Sequence, residues 1–140
     1  MDVHMVSACI GVALALGVGI AATAVGMDRD RALYPAVLIA IAALYGLFGT
    51  IDGTPSVIAI ETAGMVPFVV AALVGFRRTL WFVVVGLLCH GIYDFLHGRI
   101  VHDAGVPPWW PLFCLAYDAT AALYLAGLLV RSTVTARPAR

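Results

Sequence analysis

The chain alternates between long apolar runs and short polar links. Apolar runs occur at 5–27, 32–50, 55–75, 79–97 and 111–130. Each is close to the roughly 20 residues that an α-helix needs to cross a bilayer. Because short links keep sequence neighbours adjacent in space, the pattern predicts an all-α integral membrane bundle of five transmembrane helices. Residues 1–131 are predicted to form this single domain, followed by a short cytoplasmic tail at 132–140.

The composition agrees with lipid as the solvent of most of the chain. Hydrophobic residues make up 63% of the sequence and charged residues 11%, against about 25% charged residues in soluble domains. The eight basic residues are all arginine, they balance eight acidic residues, and no basic tract is present. Nucleic-acid binding is therefore not expected. The three cysteines have no paired spacing, so the sequence predicts no disulfide framework.

The arginines predict the orientation of the bundle. Seven of the eight lie in the first link, the third link and the tail, and only Arg99 lies on the other side. Since cytoplasmic segments are enriched in Lys and Arg, we expect the N-terminus outside and the C-terminus in the cytoplasm. Trp81 then marks the inner interface, and Trp109 and Trp110 mark the outer one, as in aromatic belts. This is the pattern of a multi-pass protein of the bacterial inner membrane.

Ionisable residues inside the apolar runs mark the candidate site. Glu61 lies in the third run and Asp118 in the fifth, while 90–97 reads His-Gly-Ile-Tyr-Asp-Phe-Leu-His. With the predicted orientation, the helical rise puts Glu61, His90 and Asp118 roughly 10 Å below the outer interface on three helices. Charged groups at such depth are expensive and by default suggest function. We therefore predict a shared polar pocket that opens to the outside.

The fourth run can supply metal ligands. His90, Asp94 and His97 share one helix face, although the two histidines are about 10 Å apart along the axis. Imidazole and carboxylate groups bind zinc or iron, so His90 and Asp94 are predicted as metal ligands, with His97 as an optional third. Glu61 is predicted as a further ligand or the general base. Asp118 is predicted as the carboxylate that orients a histidine N–H.

Several functions are compatible with such a site. The first is a metal-dependent or acid–base enzyme that acts on a lipid or isoprenoid from the outer side. The alternatives are a proton- or metal-coupled transporter or channel subunit, and a non-catalytic subunit whose polar groups join helices. The inner halves of the last three runs, at 65–75, 80–89 and 121–130, are almost wholly apolar. This favours a one-sided pocket over a through-pore.

The first run carries small residues at helical spacing. They recur every four positions, at Ala13, Gly17 and Ala21 and again at Ala15, Gly19 and Thr23. Such spacing lets helix backbones approach closely. We therefore expect the first helix to pack against protein on two faces, and the chain to be able to form a homo-oligomer.

Two segments carry a resemblance to a known family. HGIYDFLH at 90–97 and VPPWWPLFCLAYD at 106–118 resemble a family of small bacterial multi-pass membrane proteins of unassigned function. DRALYPAVLIAIAALYGLF at 30–48 is similar as well, and the resemblance covers residues 30–130. It implies a membrane location and no particular activity. Cys114, one helical turn before Asp118, is expected at the wall of the site.

Overall fold

The computed structural model describes residues 2–131 and Val134, and over this part of the chain the architecture is all-helical. The helices are α1 (Val3–Val25), α2 (Leu33–Asp52), α3 (Pro55–Arg77), α4 (Trp81–Ile100) and α5 (Trp110–Val130). The predicted fold class is confirmed. The predicted tail at 132–140 lies outside the described residues, apart from Val134.

Each helix is long and apolar enough to cross a membrane. Many large apolar side chains lie on the outer surface of the bundle, among them Leu73, Phe82 and Leu123. A water-soluble protein seldom exposes so much contiguous apolar surface. In a membrane, lipid covers such a surface without an energetic penalty. These two features indicate a multi-pass membrane protein. Which end faces the cytoplasm stays a prediction from the arginines.

The helices pack in the lateral order α1–α5–α4–α3–α2, with a further contact between α2 and α4. Glycines set the closest approaches. A Cβ at Gly11 of α1 would lie 2.4 Å from the Phe113 carbonyl oxygen of α5, and one at Gly91 of α4 would lie 3.2 Å from the Asp118 Cβ. These positions therefore need glycine so that the backbones of neighbouring helices can meet.

Only one of the two predicted faces of α1 packs within the chain. Ser7, Gly11, Ala15, Gly19 and Ala22 are buried, and Gly19 lies against the Tyr124 ring of α5. Ala13, Gly17 and Ala21 are exposed, and nothing lies within 4 Å of a Cβ built at Gly17. No described residue packs closely at Gly17 on that second face, and its role in a homo-oligomer stays a prediction.

A buried arginine fixes the α1–α2 link to the end of α3. Arg31 donates hydrogen bonds from Nη2 to the carbonyl oxygens of Gly75 (3.3 Å) and Phe76 (2.9 Å). These carbonyls belong to the last turn of α3, where a helix leaves its acceptors without partners. The Arg31 backbone has φ 72°, which is uncommon outside glycine. In the sequence Arg31 indicated topology alone, and the structure adds this capping role.

Candidate metal centre

A histidine and two aspartates meet between α4 and α5. His90 Nδ1 lies 2.7 Å from Asp118 Oδ2 and 3.1 Å from Asp94 Oδ2. One potential ligand atom from each residue lies within 4.8 Å of the others. His90 is 1% exposed, and both aspartates are 0% exposed. We call these three residues the His90 cluster.

The local sequence explains this convergence. His90 and Asp94 are four residues apart on α4, so they stand one above the other on the same face. Gly91 follows His90 and lies against Asp118 and Leu115, which lets α5 come close enough for Asp118 to reach the imidazole. A larger residue at 91 would separate the two helices at the level of the cluster.

The polar atoms of the His90 cluster are only partly satisfied. Within the described part of the chain, no group makes a well-aligned hydrogen bond to four buried atoms: His90 Nε2, Asp118 Oδ1 and both carboxylate oxygens of Asp94. Although Asp94 Oδ2 is near His90 Nδ1, the contact does not have hydrogen-bond geometry. Three groups that can donate, His90, Tyr45 and Cys114, lie close to Asp94 but are poorly aligned with its oxygens. A buried carboxylate with such incomplete hydrogen bonding is costly. A cation held among these oxygens would remove that cost.

The second histidine of α4 pairs with α3. His97 Nε2 lies 2.7 Å from Glu61 Oε1, and the two side chains are 2% and 0% exposed. Gly49 of α2 lies against the Glu61 side chain, so α2 can pack directly over it. Glu61 Oε2 is buried and has no hydrogen-bond partner among the described residues. We call these two residues the His97 pair.

Aromatic rings lie between and around the two groups. The Tyr45 ring of α2 lies over the His97 ring, with centroids 4.3 Å apart, and its centroid is 6.1 Å from that of His90. Phe68 of α3 meets His90 edge to face at 4.7 Å, and Tyr93 lies 5.5 Å from His97. Aromatic surface therefore lies against both imidazoles. The sequence pattern did not place Tyr45 beside the two histidines.

The structure brings together most of the residues that the sequence selected, in a different grouping. His90 and Asp94 lie together, and the third group beside them is Asp118. Its Oδ2 lies 2.7 Å from His90 Nδ1, a position compatible with its predicted role of orienting a histidine N–H. His97, the optional third ligand, lies with Glu61 instead. Cys114 is buried beside Asp94 and Asp118, at the predicted wall of the site. The roles of these residues stay predictions.

The site is enclosed. The predicted pocket opens to the outside, whereas no residue of the His90 cluster or the His97 pair is more than 2% exposed. A surface pocket of about 400 Å³ lies at the end of the bundle formed by the α2–α3 and α4–α5 links. Asp103, in the wall of that pocket, is close enough to Glu61 for an electrostatic interaction. Access from the outside stays a prediction.

Comparison with known proteins adds no template for the site. No protein-family model, curated protein or solved structure matches the chain. Function therefore has to be argued from the site, since a helical bundle by itself hosts many functions. The family resemblance of the segments at 90–97 and 106–118 stays a prediction.

Proposed function

We propose that this membrane protein binds one divalent transition-metal ion, zinc or iron, at His90, Asp94 and Asp118, and that the metal serves chemistry on a lipid-like substrate. The observation that carries the proposal is the convergence of three buried ligand atoms within 4.8 Å of one another. Three protein ligands leave a coordination position open for water or substrate, as catalytic sites do.

Charge counting supports a divalent ion over a monovalent one. The His90 cluster and the His97 pair together contain three carboxylates and two imidazoles, so with every carboxylate ionised one negative charge remains even when both imidazoles are protonated. A neutral His90 with two aspartates carries two negative charges, and a divalent ion neutralises them. The His97 pair is then neutral as imidazolium and carboxylate. A neutral total suits a medium in which an unpaired buried charge is strongly unfavourable.

The proposed roles follow from the geometry. The metal would be held on the Nδ1 side of His90, because both aspartate Oδ2 atoms lie beside that nitrogen. When bound, such a metal supplies Lewis acidity and makes a coordinated water more acidic. Glu61, one of whose oxygens has no partner, is proposed as the general base, with His97 holding the other oxygen.

The position of the site favours an enzyme or binding protein over a transporter. Between the His90 cluster and the end of the bundle that carries the α3–α4 link, the core is filled by fully buried apolar side chains, such as Leu38, Leu80 and Leu125. A path through the bundle would have to cross this layer. A site buried in one half of the bilayer is instead suited to a substrate that is dissolved in lipid.

Proton transfer without a metal is a second candidate. Two contacts of 2.7 Å each join an imidazole to a carboxylate, His90 to Asp118 and His97 to Glu61. Such hydrogen bonds can hold and move a proton. This candidate uses the same residues and needs no added ion, so metal content separates the two.

Elemental analysis of the purified chain tests the metal proposal. After dialysis against metal-free buffer and titration with Zn²⁺, we expect about one ion per chain, and its loss in His90→Ala and Asp94→Asn. His102→Ala is the matched control, because His102 is exposed in the α4–α5 link and should retain the ion. A wild-type chain that takes up no zinc or iron on titration would overturn the metal proposal and leave proton transfer.

A further inference from the structure

A groove at the opposite end of the bundle combines an apolar wall with two arginines. It has a volume of about 640 Å³ and is lined by Leu73, Val74, Arg77, Arg78 and Phe82. It lies where α3 ends and α4 begins. Gly75 allows the start of α4 to approach closely here, since a Cβ at this position would lie 2.5 Å from Val83 Cγ2.

The two arginines of the groove are available for a ligand. Both are exposed, and no carboxylate of the described residues lies within ion-pair distance of either one. They are also not needed to cap α3, because Arg31 already donates to the carbonyls of its last turn. Two adjacent guanidinium groups without an acidic partner present a strong anion-binding surface.

The apolar wall of the groove belongs to the lipid-facing surface. Leu73 is 52% exposed and Phe82 is 48% exposed, on helices that are long and apolar enough to span the membrane. Trp81, which begins α4, is also exposed at this level, as is typical of the membrane interface. A ligand here would therefore have an anionic head beside the arginines and an apolar chain along α3 and α4.

We propose that this groove is a binding site for an anionic phospholipid. Arg77 and Arg78 contact the phosphate and headgroup, and Leu73, Val74 and Phe82 contact the first part of an acyl chain. The arginine pattern predicts that this end faces the cytoplasm, where anionic lipid attracts basic residues. The proposal is independent of the metal site and of the function proposed for it.

Native mass spectrometry of the full chain tests this proposal. Purified protein in detergent is incubated with phosphatidylglycerol or with phosphatidylcholine of the same acyl chains, and bound lipid is counted. We expect a clear preference for phosphatidylglycerol. Arg77→Gln and Arg78→Gln should each weaken phosphatidylglycerol binding about fivefold, since one basic residue near an anionic surface contributes about 1 kcal/mol. Phosphatidylcholine binding should not change.

Matched controls make the result specific. Arg29→Gln removes an exposed arginine from the same end of the bundle but outside the groove, and should keep the preference. Arg77→Lys should keep most of it, because the charge is retained. Equal binding of the two lipids by the wild type, or an equal loss in Arg29→Gln, would overturn the proposal. So would displacement of the lipid by equimolar glycerol 3-phosphate, because the acyl chain would then contribute nothing.

Discussion

His90 has two carboxylates beside one ring nitrogen, whereas His97 has one, and this difference predicts opposite effects of two similar substitutions. Among the described residues neither oxygen of Asp94 has a well-aligned hydrogen bond, and Asp118 lies closer to His90 Nδ1 than Asp94 does, so in the metal-free protein Asp94→Asn removes an excess negative charge at little loss. We expect the melting temperature of the metal-free chain to stay unchanged or to rise by roughly 2–4 °C. Metal binding should be lost, because a ligand charge is removed.

Glu61→Gln provides the contrasting substitution. The His97 pair is balanced, with one imidazole and one carboxylate 2.7 Å apart. Loss of the Glu61 charge weakens a buried charge-assisted hydrogen bond, and we expect the chain to be destabilised by about 1.5–3 kcal/mol. Thermal unfolding of both metal-free variants in one detergent measures the difference. Equal destabilisation by Asp94→Asn would mean that Asp94 is a structural group.

At the scale of the helices, the depth of the site residues could be predicted only in part, and their pairing could not. A constant rise per residue predicted Glu61, His90 and Asp118 at one level. His90 and Asp118 do meet, but Glu61 meets His97, about two turns further along α4, and Phe68 of α3 lies beside His90 instead. Which carboxylate meets which histidine depends on helix rotation and lateral position, and these follow from contacts such as Gly91 with Asp118. The end of α4 was also predicted too early. The helix continues to Ile100, so His97 lies about one turn inside its end and can reach Glu61.

The close contact between α4 and α5 predicts that a larger residue at position 91 weakens metal binding. Gly91→Ala adds a Cβ 3.2 Å from the Asp118 Cβ and 3.3 Å from the Leu115 Cα, so these neighbours on α5 have to give way by a few tenths of an ångström, which disturbs the contact of Asp118 with His90. We expect metal affinity to fall by about tenfold, the lower end of the effect of disturbed supporting contacts at metal sites. Helical content should not change. Isothermal titration with Zn²⁺ and circular dichroism provide these two readouts.

Gly98→Ala is the matched control for that substitution. Gly98 lies on the same helix, and nothing lies within 4 Å of a Cβ built there. Alanine favours a helix over glycine by up to about 1 kcal/mol, so this variant should be as stable as the wild type or more stable, with unchanged metal affinity. If both variants bind metal like the wild type, the approach of α4 and α5 does not set the geometry of the site.

At the scale of the whole molecule, the sequence was sufficient for the number of helices and their spans, because lipid demands long uninterrupted apolar helices. The sequence was less informative about which helix faces pack against protein. Both small-residue faces of α1 have the same spacing, yet only the one containing Gly11 and Gly19 packs against α5. The spacing of small residues on a helix does not show whether the helix that packs against them belongs to the same chain. The face containing Gly17 therefore carries the prediction of a homo-oligomer.

Two leucine substitutions on α1 test that prediction. Gly17→Leu has open space within the protomer, so its melting temperature should match the wild type, while the added side chain should separate two copies that meet on this face. Light scattering after size exclusion in detergent should show a smaller assembly. Gly11→Leu would collide with the Phe113 carbonyl of α5, and it should lower thermal stability whatever the oligomeric state. If Gly17→Leu has the same assembly size as the wild type, the face contacts lipid alone, and the protein functions without a partner at this helix.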